Sequence, residues 1–215
     1  PLYDPAQLEQ PPFRLLADSV GYIYAGTFSC EHLAQVVQTL PRTRALIIDL
    51  RTYPLKVDGA LIALIGQSLR TESVVVRQAL YQTLALPGLF YLQEQWLFED
   101  FGEVAARCTE LYKGRVILLV DEMTQSNPEF QAMAFQSCPQ TLTIGSPTSG
   151  ANGSIVWIPL PGQMTSFSGV GTLYPDGTQT QTVGVRLDIE VLPTAEGLQA
   201  GRDEVFERAL ELARQ

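Results

Sequence analysis

The sequence has few of the side chains on which most catalytic sites depend. Its 215 residues include one histidine, His32, three cysteines, and only the lysines Lys56 and Lys113. The cysteines do not have metal-ligand spacing, and no cluster of His, Cys, Asp and Glu has it either. The sequence therefore predicts neither a metal site nor another cofactor. The odd number of cysteines leaves at least one thiol unpaired within the chain.

Positive charge is also scarce. Lys and Arg number 14 against 23 Asp and Glu, which gives a formal net charge of −9. A nucleic-acid-binding surface needs a basic face, so we expect no nucleic-acid partner. The nucleotide-binding pattern GxxxxGK[ST] is absent, and the glycine-rich stretch GSPTSGANG has no partner lysine. No apolar run reaches the length of a membrane span, and no signal peptide is visible.

The length and composition indicate one globular domain. Hydrophobic residues make up 46% of the chain and charged residues 17%, which is typical of a folded protein with a full core. We expect a single domain with a leader segment at 1–12, an α/β core at 13–150, a β-rich extension at 151–193 and a C-terminal helix at 194–215. The chain begins at Pro1 without an initiator methionine, and we expect the native chain to be longer.

Apolar runs and helical spacings alternate along the first half of the chain. ALIIDL at 45–50 and RVILLV at 115–120 are unbroken apolar runs typical of strands buried on both faces. A helix that starts near Ser29 and stops before Pro41 precedes the first run, so a parallel crossover is predicted. Further elements are predicted as strands at 13–17, 20–24 and 72–80, and as helices at 59–69 and 101–112.

The last third of the chain is predicted to be richer in β-structure. Residues 154–160 alternate in part, and Pro161-Gly162 is a turn signal. Residues 164–174 are β-rich, and Pro175-Asp176-Gly177 predicts a hairpin turn. The apolar spacing over 203–213 predicts a closing amphipathic helix. The expected fold class is therefore α/β, with a mixed sheet and a β-hairpin region near the C-terminal end.

The stretch from Gly114 to Gly153 is the most informative part of the sequence. After the apolar run at 115–120, a polar turn leads to Ser126, and Phe130, Met133 and Ala134 then recur at helical spacing. Ser126 is thus predicted to lie where a buried strand turns into a helix. A helix N-terminus offers unpaired N–H groups and a positive dipole end, so a nucleophilic hydroxyl there would have anion-stabilising amides beside it.

The same residues also fit a purely structural role. Ser126 followed by Glu129 three residues later is a capping-box spacing, and Asn127 as the cap with Pro128 at the first helical position fits equally well. The pattern alone favours a cap, because caps are common and nucleophiles are rare. His32, in the first turn of its helix, is likewise typical of a solvated surface residue.

Four motifs in the correct order resemble the carboxyl-terminal-processing (tail-specific) serine peptidase family. They are VILLVDEMTQSNPEF, TIGSPTSGANG, LYPDGTQTQTVGVRLDIEVLPT and GRDEVFERAL, and the resemblance runs from about Val20 to the end of the chain. It implies a layered crotonase/ClpP-like core and peptide-bond hydrolysis. It also implies that Ser126 is the nucleophile, that the Asn127 amide is an oxyanion donor, that Glu129 supports the site and that Gly150 shapes the cleft wall.

The sequence departs from the family pattern at the positions that would activate the serine. Ala151 stands where family members with a Ser-Lys dyad have the lysine, and Tyr24 stands where another branch has a histidine. The segment from Thr52 to Lys56, which includes Tyr53 and Leu55, replaces the Asn-x-Gly-Gly whose backbone helps to form the oxyanion hole. A serine hydroxyl needs a base to act as a nucleophile at neutral pH. The candidates within the chain are Lys56, Tyr24, Glu129 and His32, and a histidine on a segment preceding Pro1 is a further hypothesis.

The sequence leads to two functional hypotheses. The first is a serine peptidase core that uses Ser126 and takes its base from outside this chain segment. The second is a catalytically inactive peptidase-like domain that binds a peptide or a protein partner. Both predict peptide or protein partners, and both are compatible with homo-oligomers. The resemblance implies a periplasmic or extracellular location, while the substrate stays open.

Overall fold

A six-stranded sheet forms the centre of the protein. A computed structural model describes residues 9–69, 73–82, 90–100 and 111–215, with residues 73–82 and 90–100 described by their backbone. The sheet has the strand order β1-β2-β3-β6-β7-β11, in which β1 is antiparallel to β2 and the other neighbours are parallel. In chain order the described strands are β1 Phe13–Leu16, β2 Val20–Tyr24, β3 Ala45–Asp49, β4 Ser73–Gln82, β5 Phe90–Asp100, β6 Arg115–Val120, β7 Thr141–Gly145, β8 Ile155–Leu160, β9 Gln163–Ser168, β10 Gly171–Leu173 and β11 Ile189–Glu190.

Helices cover both faces of this sheet. They are α1 Cys30–Thr39, α2 Ala60–Ser68, α3 Asn127–Gln136, α4 Ala195–Gln199 and α5 Glu204–Arg214. Along β3 and β6, side chains alternate between the two faces. Leu46 and Leu118 pack with α1, α2 and α3 on one face, and Ile47 and Ile117 pack with α5 on the other. The two apolar runs are therefore buried on both faces, as their composition predicts.

Two smaller sheets complete the described part of the chain. One is antiparallel with the order β10-β4-β5, and the other is the hairpin of β8 and β9. Pro161 and Gly162 form the turn of this hairpin, and the chain reverses again around Asp176, where Leu173 and Gln179 form an isolated bridge. A helix that could span a bilayer is not found in the part of the chain that the structure describes.

The structure confirms the expected fold class, a mixed α/β sheet with a separate hairpin. The crossover between β2 and β3 is parallel, and the helix predicted at 59–69 and the strand predicted at 72–80 are α2 and β4. The predicted strand at 164–174 is divided into β9 and β10, with Gly169 between them. The helix predicted at 101–112 lies largely outside the described residues. The division into leader, core, extension and C-terminal helix stays a prediction.

An arginine clamp joins the end of β3 to the start of α5. The Arg51 guanidinium donates to both carboxylate oxygens of Asp49, at 2.9 and 2.7 Å, and to both of Asp203, at 2.9 and 2.7 Å. Asp203 also caps α5, because its Oδ1 accepts the Phe206 N–H at 3.0 Å. Tyr22 Oη donates to Asp49 Oδ2 at 2.9 Å. The clamp therefore fixes α5 against the carboxyl end of the sheet.

Arg51→Ala is expected to lower the free energy of unfolding by about 3 kcal/mol, because it leaves the buried Asp49 carboxylate without its cation. Urea denaturation followed by circular dichroism measures the change. Arg202→Ala is the matched control, since Arg202 pairs with Glu207 on the surface and its loss should leave the free energy of unfolding nearly unchanged. Equal effects of the two substitutions would contradict the structural role of the clamp.

Candidate functional site

Ser126 occupies a strained position between β6 and α3. Its φ of 56° and ψ of −113° lie outside the regions that L-residues normally adopt, and it is the residue before the first turn of α3. The side chain is half-buried. Strain of this kind persists only where the surroundings enforce it, and it is often found at functional sites.

The carboxylate of Glu129 enforces this geometry from the first turn of α3. Glu129 is fully buried and accepts four hydrogen bonds. Its Oε2 accepts the N–H groups of Ser126 and Ala151, each at 3.0 Å. Its Oε1 accepts the Thr148 hydroxyl at 2.6 Å and the Gly150 N–H at 2.9 Å. The negative charge is thus satisfied by four donors and by the N-terminal end of the helix.

This network places Ala151 next to Ser126. Because both backbone nitrogens lie 3.0 Å from the same Glu129 oxygen, they are at most 6.0 Å apart. The Ala151 side chain is exposed. The position at which related sequences are expected to have a lysine is therefore beside the candidate nucleophile, and in this chain it presents only a methyl group.

The loop after β7 is fixed by contacts that the sequence did not reveal. Gly150 has a φ of 63°, and a Cβ there would lie 2.9 Å from the backbone nitrogens of Thr182 and Val183, so only glycine fits. The Gly150 carbonyl accepts the Thr182 N–H at 2.7 Å. Thr148 Oγ1 also accepts the Val185 N–H, at 3.0 Å. The glycine-rich composition of the loop indicated an unusual backbone conformation. Local spacing did not show that the loop contacts Thr182 and Val185.

The candidate oxyanion donors differ in their availability. Asn127 is the first residue of α3, and within the described ranges its N–H donates to no protein acceptor. The Leu55 N–H donates to the Gly26 carbonyl at 2.9 Å, and Pro54 has no N–H to offer. The Leu55 side chain is exposed, and Tyr53 is half-buried. The Asn127 amide is therefore the better placed of these donors.

Lys56 forms an exposed ion pair with Glu31. The hydrogen bond and the charge of Glu31 raise the pKa of Lys56, which keeps the amine protonated. A general base must be unprotonated before it accepts a proton. This pairing argues against Lys56 as the base for Ser126.

Tyr24 and His32 have structural partners elsewhere. The buried Tyr24 hydroxyl donates to Thr52 Oγ1 at 2.8 Å. His32 Nδ1 accepts the Ser29 N–H at 3.2 Å and so helps to cap α1, and the ring is half-buried near Phe28 instead of fully solvated. In the described part of the chain, no acidic or basic side chain forms a hydrogen bond with Ser126 Oγ.

Asp121 lies between β6 and Ser126, and burial raises its pKa to about 6. The Met123 N–H and the Arg51 charge act against this shift, and Glu122 and Asp49 add to it. Its Oδ1 accepts the Met123 N–H at 2.9 Å. Sequence spacing did not identify this group.

The raised pKa of Asp121 predicts a contribution to stability that increases as the pH falls. Between about pH 4 and pH 6 the folded state holds a proton that the unfolded state releases, so the free energy of unfolding gains about 1–2 kcal/mol after allowance for solvent screening. Asp121→Asn should abolish this component, because an amide does not titrate. The substitution is conservative, since the amide oxygen can still accept the Met123 N–H. Thermal melts of both proteins from pH 4 to pH 8 measure the difference, and parallel pH profiles would contradict it.

Comparison with known proteins identifies the family of this chain. The sequence profile of peptidase family S41 matches residues 19–191. The chain belongs to peptidase family S41. No curated protein sequence gives a significant match.

Solved structures show the same fold at low sequence identity. A protein of Parabacteroides merdae ATCC 43184 whose name places it among the peptidases is 21% identical, with a TM-score of 0.73 over 94% of this chain and 64% of its own. Mature CPAF in complex with lactacystin is 16% identical, with a TM-score of 0.68 over 94% and 53%. The photosystem II D1 C-terminal processing protease is 17% identical, with a TM-score of 0.56 over 82% and 44%. This chain thus spans 44 to 64% of the length of these similar structures.

Proposed function

We propose that this chain is the nucleophile-bearing core of a serine peptidase and that Ser126 attacks the substrate peptide bond. The observation that supports this most strongly is the strained backbone of Ser126, held at the start of α3 by the buried Glu129. A structural cap alone does not require a residue with positive φ, because N-cap residues normally adopt extended conformations.

The proposed reaction assigns a role to each group. Ser126 Oγ forms a bond to the substrate carbonyl carbon as its proton passes to a base, and the Asn127 N–H stabilises the resulting oxyanion. The C–N bond then breaks as the amine takes up the proton, and water hydrolyses the acyl-enzyme. Glu129 is a positioning residue, because its oxygens accept three backbone N–H groups and the Thr148 hydroxyl, and not the Ser126 hydroxyl. We place the base outside the described residues, with a histidine on a preceding segment as the leading hypothesis.

Hydrolysis of a quenched fluorescent peptide library by the full-length protein tests this proposal. Cleavage is expected from the unmodified protein and should fall to the background level in Ser126→Ala, which removes only the hydroxyl. Cleavage that survives the substitution would overturn the assignment of Ser126. If every histidine preceding Pro1 can be replaced without loss of activity, the hypothesis for the base is wrong.

A second candidate function is a peptide-binding domain without catalytic activity. It is favoured by the alanine at position 151 and by the use of the Leu55 amide in a bond to Gly26. This candidate predicts that library peptides bind with the same affinity to the unmodified protein and to Ser126→Ala, and that neither protein cleaves them.

A further inference from the structure

The hairpin of β8 and β9 exposes an apolar face. Its register places Ile155, Trp157 and Met164 on the same side of the two strands. Their exposed fractions are 55, 59 and 58%. Large apolar side chains exposed together mark an interaction surface more often than a solvated one.

The hairpin lies within a stretch of the sequence that has no charged side chain. The sequence contains no Asp, Glu, Lys, Arg or His from Phe130 to Pro175, although the chain as a whole has a net charge of −9. The opposite face carries Val156 and Ile158, which are half-buried, and Leu160 and Phe167, which are 42 and 36% exposed. Val156 also packs against Gly169. A two-stranded hairpin is only marginally stable in water, so an additional strand or partner would stabilise this one.

The outer edge of β9 offers unpaired backbone groups. The Gly169 N–H donates to the Ser154 carbonyl at 3.0 Å, which makes these two residues a hydrogen-bonded pair of the antiparallel ladder. Because bonded and non-bonded pairs alternate, the N–H and C=O groups of Met164, Ser166 and Ser168 point away from β8. In the described part of the chain, no strand pairs with this edge.

The two edges of the hairpin are not equivalent. On β8, Pro159 occupies one of the outward-facing positions and has no N–H to donate. Prolines and charges are the usual means by which proteins protect an edge strand from pairing. The strand β9, with the sequence QMTSFS, has neither, so it is the edge that remains open to strand addition.

The base of the hairpin is tied to the Ser126 site. Gln181 Nε2 donates to the Asn152 carbonyl at 2.7 Å and to the Val170 carbonyl at 2.9 Å, so it holds the two ends of the hairpin together. Asn152 follows directly after Ala151, whose N–H binds the same Glu129 oxygen as the Ser126 N–H. A six-residue strand spans about 20 Å, so the edge extends from the site over roughly the length of a hexapeptide.

We propose that the outer edge of β9 binds an extended segment of the peptide substrate as an added strand. The segment is uncharged and has apolar side chains at alternate positions, which lie beside Met164 and extend the apolar face that Ile155 and Trp157 form on β8. Backbone hydrogen bonds supply affinity and the apolar face supplies selectivity, as in other cases of strand addition. This inference rests on the proposed peptidase function, because it places the substrate beside Ser126.

Fluorescence anisotropy tests the proposal on the full chain with Ser126→Ala, so that the probe is not cleaved. The probe is a fluorescein-labelled nonapeptide of alternating valine and threonine. Ser166→Pro removes one outward N–H without removing a bond inside the hairpin, and Ser166→Val keeps that N–H. We expect the dissociation constant to rise at least about fivefold for Ser166→Pro and to stay within about twofold for Ser166→Val. A probe with alternate amides N-methylated should bind the unmodified hairpin equally weakly, which covers the case that Ser166→Pro perturbs folding.

Other outcomes would overturn the proposal. The probe would not bind at all, the two substitutions would have equal effects, or the N-methylated probe would bind undiminished. Pairing of the hairpin with a second copy of the chain would also overturn the proposal. Pairing between copies would appear in sedimentation velocity as a dimer that Ser166→Pro dissociates. Failure of the peptidase function is distinguishable, because the probe would then bind through β9 while the unmodified protein cleaves no peptide.

Discussion

Glu129→Gln is expected to lower the free energy of unfolding by about 3 kcal/mol and to abolish the reactivity of Ser126. The carboxylate accepts four hydrogen bonds in a fully buried site. A glutamine amide has one acceptor oxygen, and its NH₂ group would face donors, so buried donors would be left unsatisfied. Urea denaturation measures the stability, and fluorophosphonate labelling under native conditions measures the reactivity.

Glu122→Gln is the matched control for this prediction. Glu122 is exposed and accepts a hydrogen bond from Ser146 Oγ at 3.2 Å, so its replacement should change stability by less than about 0.5 kcal/mol. If Glu129→Gln were as stable and as reactive as this control, Glu129 would not hold Ser126 in its strained conformation.

In the full-length protein with its upstream histidines replaced, Ala151→Lys is expected to increase the labelling rate of Ser126 at least about a hundredfold, because loss of a catalytic base typically costs several orders of magnitude in rate. The backbone nitrogens of residues 126 and 151 are at most 6.0 Å apart, and the side chain at 151 points to solvent-accessible space. A lysine amine on its flexible four-carbon stem can reach the serine hydroxyl over this distance.

Ala151→Met is the matched control, because it lengthens the side chain without adding a base. It distinguishes the effect of a basic amine from the effect of a larger side chain. Stopped-time labelling with a fluorophosphonate at pH 7 to pH 9 compares both variants with the histidine-replaced parent protein. An increase that follows the deprotonation of the lysine supports the geometry. Equal rates for the lysine and methionine variants would mean that the side chain at 151 does not reach Ser126.

The fold could be predicted from the sequence where one interaction dominates. The runs of β3 and β6 are almost entirely apolar, which indicated strands buried on both faces. The helix predicted between β2 and β3 indicated a parallel crossover. The division of the strand predicted at 164–174 was less evident. It depends on Gly169, which packs against Val156 across the hairpin, and such a contact is not visible in local spacing.

Only the part of the candidate site that lies within one helical turn could be predicted from the sequence. The spacing of Ser126 and Glu129 is contained within one helical turn, so the sequence indicated both a cap and a nucleophile position. The second half of the Glu129 network comes from Thr148, Gly150 and Ala151, which approach from the end of a different strand. Likewise, the role of His32 as the capping partner of Ser29 depends on the rotamer of its side chain and the tautomer of its ring, which composition does not reveal.

The central claim is that Ser126 is a nucleophile, and mapping of a covalent adduct tests it most directly. The full-length protein is treated with a fluorophosphonate, digested, and analysed by mass spectrometry, with Ser126→Ala as the control. The account predicts a single adduct on Ser126 that forms in the native state and does not form when the protein is denatured in urea before labelling. An adduct on another serine, or no adduct on Ser126 in the native full-length protein, would contradict it.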